Sequence, residues 1–341
     1  MKSESRIKAK GFTIVELLTV MGVIVVLISL LLPALSMVRD FSREIQQKAQ
    51  FHSIEVGAEM YQSDYGTLPP SYDNDPAMRP TGSTDAADTT PYSGASKLAE
   101  AMVGMDLLGF HPNSDYRADG LNDVKVRDAT GAMVLETDQE IYTATSTIAN
   151  ANWQTAEENL DARTGPYIDL ENANAFRLGQ IYQNIGAFAA PSYLTDVTVS
   201  DGPLVLCDVF AEKRQSGEKT GTPILYFKAR TQYKDQNYQE KYMTTFTGDE
   251  WDDDIYNYLD NFNIIDLNVA SDQNVSHAVK SNSVAGSPAL GIDIFEDMII
   301  NDKVTSLSRP YRANSFILWS AGKDGLYGTS DDIFNFDKDK E

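Results

Sequence analysis

The feature that most constrains the fold of this chain is an uncharged and almost wholly apolar run from Leu17 to Val38. As a helix this run would be about 33 Å long, which is enough to cross the hydrocarbon core of a bilayer. The preceding segment 2–11 carries a local charge of +3 and should stay on the cytoplasmic side. We therefore expect the C-terminal bulk of the chain to lie outside the cytoplasm. If the run stays on the chain, the protein is a single-pass protein of the inner (cytoplasmic) membrane with a periplasmic or extracellular domain.

The charge of the chain limits its partners. The formal net charge is −22, and because segment 2–11 is positive, the remainder is still more acidic. Such a body repels nucleic-acid phosphates and anionic lipid over most of its surface, so nucleic-acid binding is disfavoured, although a local basic patch stays compatible with the sequence. The hydrophobic content of 42% is typical of a folded protein.

Three fates of the apolar run are open from its composition. Ala34-Leu35-Ser36 loosely matches a signal-peptidase site, which would favour a cleaved secretory signal. Against this, the run exceeds the usual apolar core of about 7–15 residues in such signals. A plain membrane anchor explains its length but not the residues that precede it. The third possibility is a prepilin leader.

The residues before the run carry the decisive motif. Segment 10–20 reads Lys-Gly-Phe-Thr-Ile-Val-Glu-Leu-Leu-Thr-Val. It resembles the class III prepilin signature of type IV pilins and type II secretion pseudopilins. The resemblance implies that residues 1–11 are a leader, that prepilin peptidase cuts between Gly11 and Phe12, and that the new N-terminus is methylated. Glu16 is then the fifth mature residue, where the family carries its glutamate, and Pro33 falls where many members carry a proline.

The position of Glu16 agrees with this resemblance on physical grounds. A carboxylate in an apolar helix costs roughly 2.5–3.5 kcal/mol near the bilayer centre. Pairing with the N-terminal ammonium of a neighbouring subunit would offset that cost and fix the register of a filament. The alternative is a residue at the membrane interface that reaches the headgroups. For Pro33, a locally melted helix and a tolerated kink both stay open.

We expect the N-terminal helix to span residues 12–65, with about 17–38 in the membrane and an amphipathic half beyond. Glycine and prolines in segment 65–70 predict its end. Residues at helical spacing predict the face that packs on the globular domain: Val38, Phe41, Ile45, Ala49, His52 and Val56. On this interpretation His52 is a core histidine rather than a ligand.

Residues 66–341 are predicted to form the globular head. The remaining helices are expected at 93–108, 171–187, 251–262 and 292–301, and strands at 203–210, 223–228 and 315–319. The acids at 252–254 are interpreted as the first turn of a helix. The predicted class is α+β, with the long helix packed on a small antiparallel sheet. A large mixed insertion at about residues 110–310 enlarges this head relative to a minimal pseudopilin.

The segment 320–336 predicts a cation site. Residues 322–332 contain three carboxylates and three glycines, and oxygen ligands on a curled backbone suit Ca²⁺. A solvated acidic turn that binds nothing is the alternative. The segment resembles the calcium loop that closes the major pseudopilins. That resemblance implies carboxylate ligands and backbone donors at these positions: Asp324, Asp331 and Asp332 for the carboxylates, and Ala321, Leu326 and Thr329 for the backbone, with the Thr329 side chain as a further donor.

The sequence offers little for catalysis. Its three histidines, His52, His111 and His277, are far apart and lie in no catalytic motif. Cys207, the one cysteine, lies in an apolar run and is interpreted as a buried, inert thiol. No intramolecular disulfide can form, so a metal could replace one in tying down the exported domain.

The predicted function is therefore a structural subunit of a type II secretion pseudopilus or a related filament, not an enzyme. The resemblance implies three partners: prepilin peptidase, other pseudopilins including copies of this chain, and an inner-membrane assembly platform. The alternative is a minor subunit at a filament tip, whose enlarged head binds a ligand or cargo.

Overall fold

A computed structural model describes residues 13–71, 92–118, 121–127, 133–142, 156–186, 188, 201–214, 217–234, 236, 254–280 and 289–338. Gly11 and Phe12 lie outside these residues, as do most of the loop 66–92 and the acids Asp252 and Asp253. The chain divides into two compact units, Met1–Ile45 and Gln46–Glu341.

The described residues form helices and small antiparallel sheets, which is compatible with the predicted α+β class. The helices are α1 (Ile14–Tyr65), α2 (Gly94–Val103), α3 (Ala156–Asp161), α4 (Leu170–Ala173), α5 (Leu178–Ile181), α6 (Phe262–Asp266) and α7 (Ala289–Ile299). Two 3₁₀ turns, Tyr258–Asn261 and Ala278–Lys280, lie between α5 and α7.

The first unit contains the apolar half of α1. Residues 14–38 are all exposed, and Pro33 lies inside the helix without ending it. Among the described residues, α1 is the one helix that is long and apolar enough to cross a membrane, with a mean hydropathy of 2.8 over its most apolar stretch. A helix of this composition, exposed on all sides, is suited to lipid rather than to water.

The second unit contains four small antiparallel sheets. Their strands are β1 (Leu121–Arg127), β2 (Met133–Glu140), β3 (Ala175–Arg177), β4 (Leu204–Leu206), β5 (Glu212–Lys213), β6 (Lys219–Thr220), β7 (Leu225–Lys228), β8 (Phe316–Ser320) and β9 (Ile333–Phe334). The first three sheets are the pairs β1–β2, β3–β4 and β5–β6. The fourth has the order β7-β8-β9, and Trp319 of β8 lies opposite both Leu225 and Phe334.

The last five turns of α1 pack on the three-stranded sheet. Phe51, Ile54 and Tyr61 share one hydrophobic cluster with Tyr226 and Leu318. A second cluster lies around Trp319 and includes residues of the 3₁₀ turns, α6 and α7. The strand β8 is buried along its length and β7 is buried except at Lys228, and both contribute to both clusters.

The prediction of which face of α1 packs on the domain is wrong. Phe41 and Ile45 are more than half exposed, and the side chain of His52 is 78% exposed, so His52 is not a core histidine. The buried residues lie on roughly the opposite side of the helix: Gln47, Gln50, Phe51, Ile54, Gly57, Ala58 and Tyr61.

Two glutamines explain the error. Gln50 Nε2 donates to the Cys207 carbonyl (2.9 Å), and Gln47 Oε1 accepts from the Val209 amide (2.9 Å). These hydrogen bonds to backbone groups of the second unit offset the cost of burying Gln50 Nε2 and Gln47 Oε1. A buried helix face that begins with polar residues cannot be predicted from the spacing of apolar residues.

Other elements differ in extent from their predictions. The helix predicted for 93–108 ends at Val103, where Gly104 adopts φ +77°, and Ser93 caps its start. The helix predicted for 171–187 is wrong, because β3 separates two four-residue helices there. For 251–262, the described residues 254–257 are not helical, so Asp254 is not in a first helical turn. The three predicted strands are present, although the first is limited to β4.

Candidate metal centre in the acidic C-terminal loop

The acidic loop, residues 321–332, connects two strands that pair with each other. Ser320 lies opposite Ile333 at the base of the loop, so both ends are held by the β8–β9 pairing. Gly322 adopts φ +65° and approaches Asp331 so closely that an added Cβ would lie 2.2 Å from its carbonyl oxygen. The sheet and this contact bring the two ends of the loop together.

Three oxygen atoms converge inside the loop around the Thr329 hydroxyl. Its Oγ1 lies 2.6 Å from Asp331 Oδ1, 3.2 Å from Asp324 Oδ2 and 3.2 Å from the Leu326 carbonyl oxygen. A hydroxyl has one proton and can satisfy one of these acceptors fully. The cluster is therefore rich in oxygen acceptors and poor in donors.

The other oxygens of the two carboxylates hold the loop backbone. Asp331 Oδ2 accepts from the amides of Lys323 (2.8 Å) and Asp324 (3.0 Å). Asp324 Oδ1 accepts from the amide of Leu326 (2.8 Å). Each carboxylate thus uses one oxygen to shape the turn and directs the other toward Thr329.

The two carboxyl groups titrate differently. Partial burial and the nearby charge of Asp331 raise the pKa of Asp324. Burial acts in the same direction on Asp331, but hydrogen bonds from the Thr329 hydroxyl and the amides of Asp324 and Lys323 outweigh it, so the pKa of Asp331 is lowered. Like charges held this close favour either a shared proton or a bound cation.

Asp332 holds a different pair of loop amides. Its Oδ2 accepts from the amides of Gly328 (2.7 Å) and Thr329 (3.1 Å), and burial raises its pKa to about 8. Its Oδ1 is buried without a hydrogen bond, and a part for it in a cation site stays a prediction. Asp332 therefore supports the turn on which Thr329 is presented. Ala321 is buried at the start of the loop, and its part in a site stays a prediction.

The donor set fits a hard cation. Asp324, Asp331, Leu326 and Thr329 bring together carboxylate, carbonyl and hydroxyl oxygens, the ligand types of Ca²⁺, which takes six to eight oxygens. Within the described part of the chain, no group of three or more His, Cys, Asp or Glu side chains could hold a metal ion. A cation here would therefore rely on backbone, hydroxyl and water oxygens beside two carboxylates.

Sequence reasoning missed Asp208, which lies buried beneath the loop. Its Oδ1 accepts from the amides of Thr222 (3.0 Å) and Phe210 (3.1 Å), and its Oδ2 accepts from the Ser320 hydroxyl (3.0 Å). Burial raises its pKa to about 7. An acid directly after an apolar strand was the available signal. The neighbouring Cys207 is buried as predicted, and burial raises the pKa of its thiol.

We expect Asp208→Asn to stabilise the protein at alkaline pH. The folded state of the wild type keeps its proton up to about pH 7, whereas the unfolded carboxyl loses it near its ordinary pKa. Stability contributed by this group is therefore lost as pH rises between these values. In urea unfolding, the free energy of unfolding of the variant minus that of the wild type should rise by about 3 kcal/mol from roughly pH 5 to pH 8. At about pH 5 both side chains are neutral in the folded protein, so the difference measured there is the effect of the substitution alone. A stability difference that stays the same from about pH 5 to pH 8 would contradict the prediction.

The remaining sequence candidates do not meet at one place. His111 is buried, and burial together with Arg163 lowers its pKa to about 4. His277 is buried against Tyr327, with its ring centroid 4.6 Å away. His52 is exposed on α1.

Comparison with models of protein families, with curated proteins and with solved structures finds no match. The resemblance to prepilins at residues 10–20 and to a calcium loop at residues 320–336 therefore stays a prediction from the sequence.

Proposed function

We propose that this chain is a structural subunit of a type II secretion pseudopilus or a related type IV pilus-like filament. The observation that carries the proposal is the setting of Glu16. It is the one charged residue between Ile14 and Val38, in an exposed apolar helix, and it follows the prepilin-like motif at the expected distance. A carboxylate in lipid needs a positive partner, and a processed neighbouring subunit would supply one at its N-terminus.

Glu16 has a local role that competes with this one. Its Oε2 accepts from the amide and the hydroxyl of Thr13, both at 2.9 Å, and its own amide donates to Thr13 Oγ1 (3.2 Å). These contacts form a capping box at the start of α1. In the assembled filament, the ammonium of an adjacent subunit would replace the Thr13 contacts with a charged one.

The same proposal includes the location and partners of the chain. The leader stays in the cytoplasm and is removed by prepilin peptidase at the membrane, α1 anchors the subunit, and residues 66–341 lie outside the cytoplasm. The assembly platform of the inner membrane and other pseudopilins then stack the mature chains. The α+β head with α1 packed on a small sheet supports this assignment.

Calcium is part of the proposal. Asp324, Asp331, Leu326 and Thr329 would hold the ion, and Asp332 would keep the turn in shape. The bound ion would neutralise the two close carboxylates and tie the C-terminal strand to the sheet. This would substitute for a disulfide that the single cysteine cannot form.

Substitutions at Glu16 separate charge from helix capping. Glu16→Gln keeps an oxygen that can accept from the Thr13 amide but removes the charge. We expect this variant to reach the membrane and be processed, yet to give at least about tenfold less sheared filament, since a hydrogen bond to a charged group contributes about 1.5–3 kcal/mol. Filament recovery would be quantified by immunoblot after shearing.

Thr19→Val, three residues along the same exposed helix, serves as the matched control and should assemble normally. Normal filament recovery from Glu16→Gln would mean that Glu16 acts through capping alone and would overturn this basis for the proposal.

A further inference from the structure

The acidic loop is fastened to a part of the enlarged middle region, residues 254–280, called here the insertion segment. The amide of Val279 donates to the Tyr327 carbonyl (3.0 Å), and the amide of Tyr327 donates to His277 Nδ1 (3.3 Å). Val279, His277 and Tyr327 are all buried. Two reciprocal bonds and a ring contact thus join the loop to the segment through Tyr327.

Gly328 permits this junction. It adopts φ +92°, and an added Cβ would lie 2.7 Å from the Val279 nitrogen and 3.2 Å from the Ala278 Cβ. A side chain at this position would separate the two backbones. The loop and the insertion segment are therefore in close backbone contact over residues 327–328 and 278–279.

The turn 277–280 also contacts two other parts of the insertion segment. The Val279 carbonyl accepts from the Tyr258 hydroxyl (3.2 Å), and Lys280 Nζ donates to Asn268 Oδ1 (2.6 Å). Burial lowers the pKa of His277 to about 3, so its ring stays neutral and Nδ1 remains an acceptor. The turn 277–280 thus contacts Tyr258 and Asn268 on one side and the acidic loop on the other.

Tyr327 and Gly328 lie directly between two residues of the oxygen cluster, Leu326 and Thr329. We propose that Ca²⁺ bound at the Leu326 carbonyl and the Thr329 hydroxyl fixes the Tyr327–Gly328 peptide and thereby orders the turn 277–280 of the insertion segment. This inference rests on the calcium site of the proposed function. It makes the order of the turn 277–280 dependent on external calcium, whereas residues 255–265 are held separately by the cluster around Trp319.

Hydrogen exchange measured by mass spectrometry on the full chain in detergent micelles tests the inference, with CaCl₂ compared against EGTA. Calcium binding is measured on the same sample by isothermal titration calorimetry. We expect exchange at the amides of Val279 and Tyr327 to slow about tenfold with calcium, because opening must then break an additional constraint. Helix α2, which is outside the junction, should exchange at the same rate in both conditions.

A pair of histidine variants tests whether the effect of calcium depends on the contact between Tyr327 and His277. His277→Ala should still bind calcium but lose most of the calcium-dependent protection at Val279, whereas His52→Ala, changed at an exposed position, should keep it. Calcium binding with unchanged exchange at Val279 in the wild type would overturn this inference and leave the calcium site standing. Absence of binding would overturn both. Full protection in His277→Ala would also overturn it, because the Tyr327–His277 contact would not be the connection.

Discussion

In cells that contain a prepilin peptidase, the mature chain is expected to begin with N-methylated Phe12, and Gly11→Val is expected to keep all of residues 1–11. The family whose motif resembles segment 10–20 is cut directly after its glycine, and a β-branched side chain adds bulk next to that bond. The effect should be close to all-or-none. Intact-mass spectrometry of the membrane-extracted protein would measure both the lost leader and the added methyl group.

Gly22→Ala provides the matched control for this substitution. Gly22 lies inside α1 with no neighbouring atom within 4 Å of an added Cβ, so the variant should be processed as the wild type is. A mature N-terminus at Met37 would instead identify Ala34-Leu35-Ser36 as a signal-peptidase site. That result would overturn the prepilin assignment, because α1 would lose its apolar half.

Calcium is expected to raise the melting temperature of the full chain by several degrees, and Asp331→Asn is expected to abolish most of that rise. A ligand at one hundred times its Kd stabilises the folded state by about 2.7 kcal/mol. Asp331 Oδ1 belongs to the oxygen cluster, and Oδ2 holds two loop amides, so both the ligand and the loop geometry depend on it. Differential scanning calorimetry in CaCl₂ and in EGTA would measure the shift.

Asp161→Asn is a suitable control, since Asp161 is an exposed acid at the end of α3. It removes the same charge at a distance from the loop and should keep the full calcium effect. If calcium raised the melting temperature of Asp331→Asn and of the wild type equally, calcium would bind elsewhere or act nonspecifically. In that case the loop would be the solvated acidic turn that its composition alone allows.

Part of the fold could be predicted because it depends on local chemistry. The end of α1 at Tyr65 follows from Gly66, which adopts φ +77° and donates its amide to the Gln62 carbonyl (2.8 Å). The strands β7 and β8 follow from continuous apolar runs of strand length. Such signals need only neighbouring residues to act, so they are visible in the sequence.

The buried face of α1 could not be predicted in the same way. Phe41 and Ile45 have the spacing of a core-facing stripe, yet they are exposed, whereas Gln47 and Gln50 are buried. A hydrogen bond to a distant carbonyl or amide offsets part of the cost of burying a glutamine, as at Cys207 and Val209. The position of those backbone groups depends on chain segments more than a hundred residues away.

The candidate site also could be predicted only in part. The composition of residues 320–336 indicated oxygen ligands, and the structure brings Asp324, Asp331, Leu326 and Thr329 together. Asp332 also accepts from loop amides with one oxygen, and its role as a ligand stays a prediction. The contact with His277 and Val279 has no sequence signal, because it pairs a loop with residues about fifty positions earlier.

The sequence by itself determined the apolar run from Leu17 to Val38, because its hydrophobicity is a property of consecutive residues and needs no tertiary partner. It also predicted the processing motif that precedes that run. Only the tertiary structure decided which side of α1 faces the sheet and which acids of the loop share one oxygen cluster. The physical reason is that burial and convergence depend on distant backbone groups, whose positions are set only when the whole head is packed.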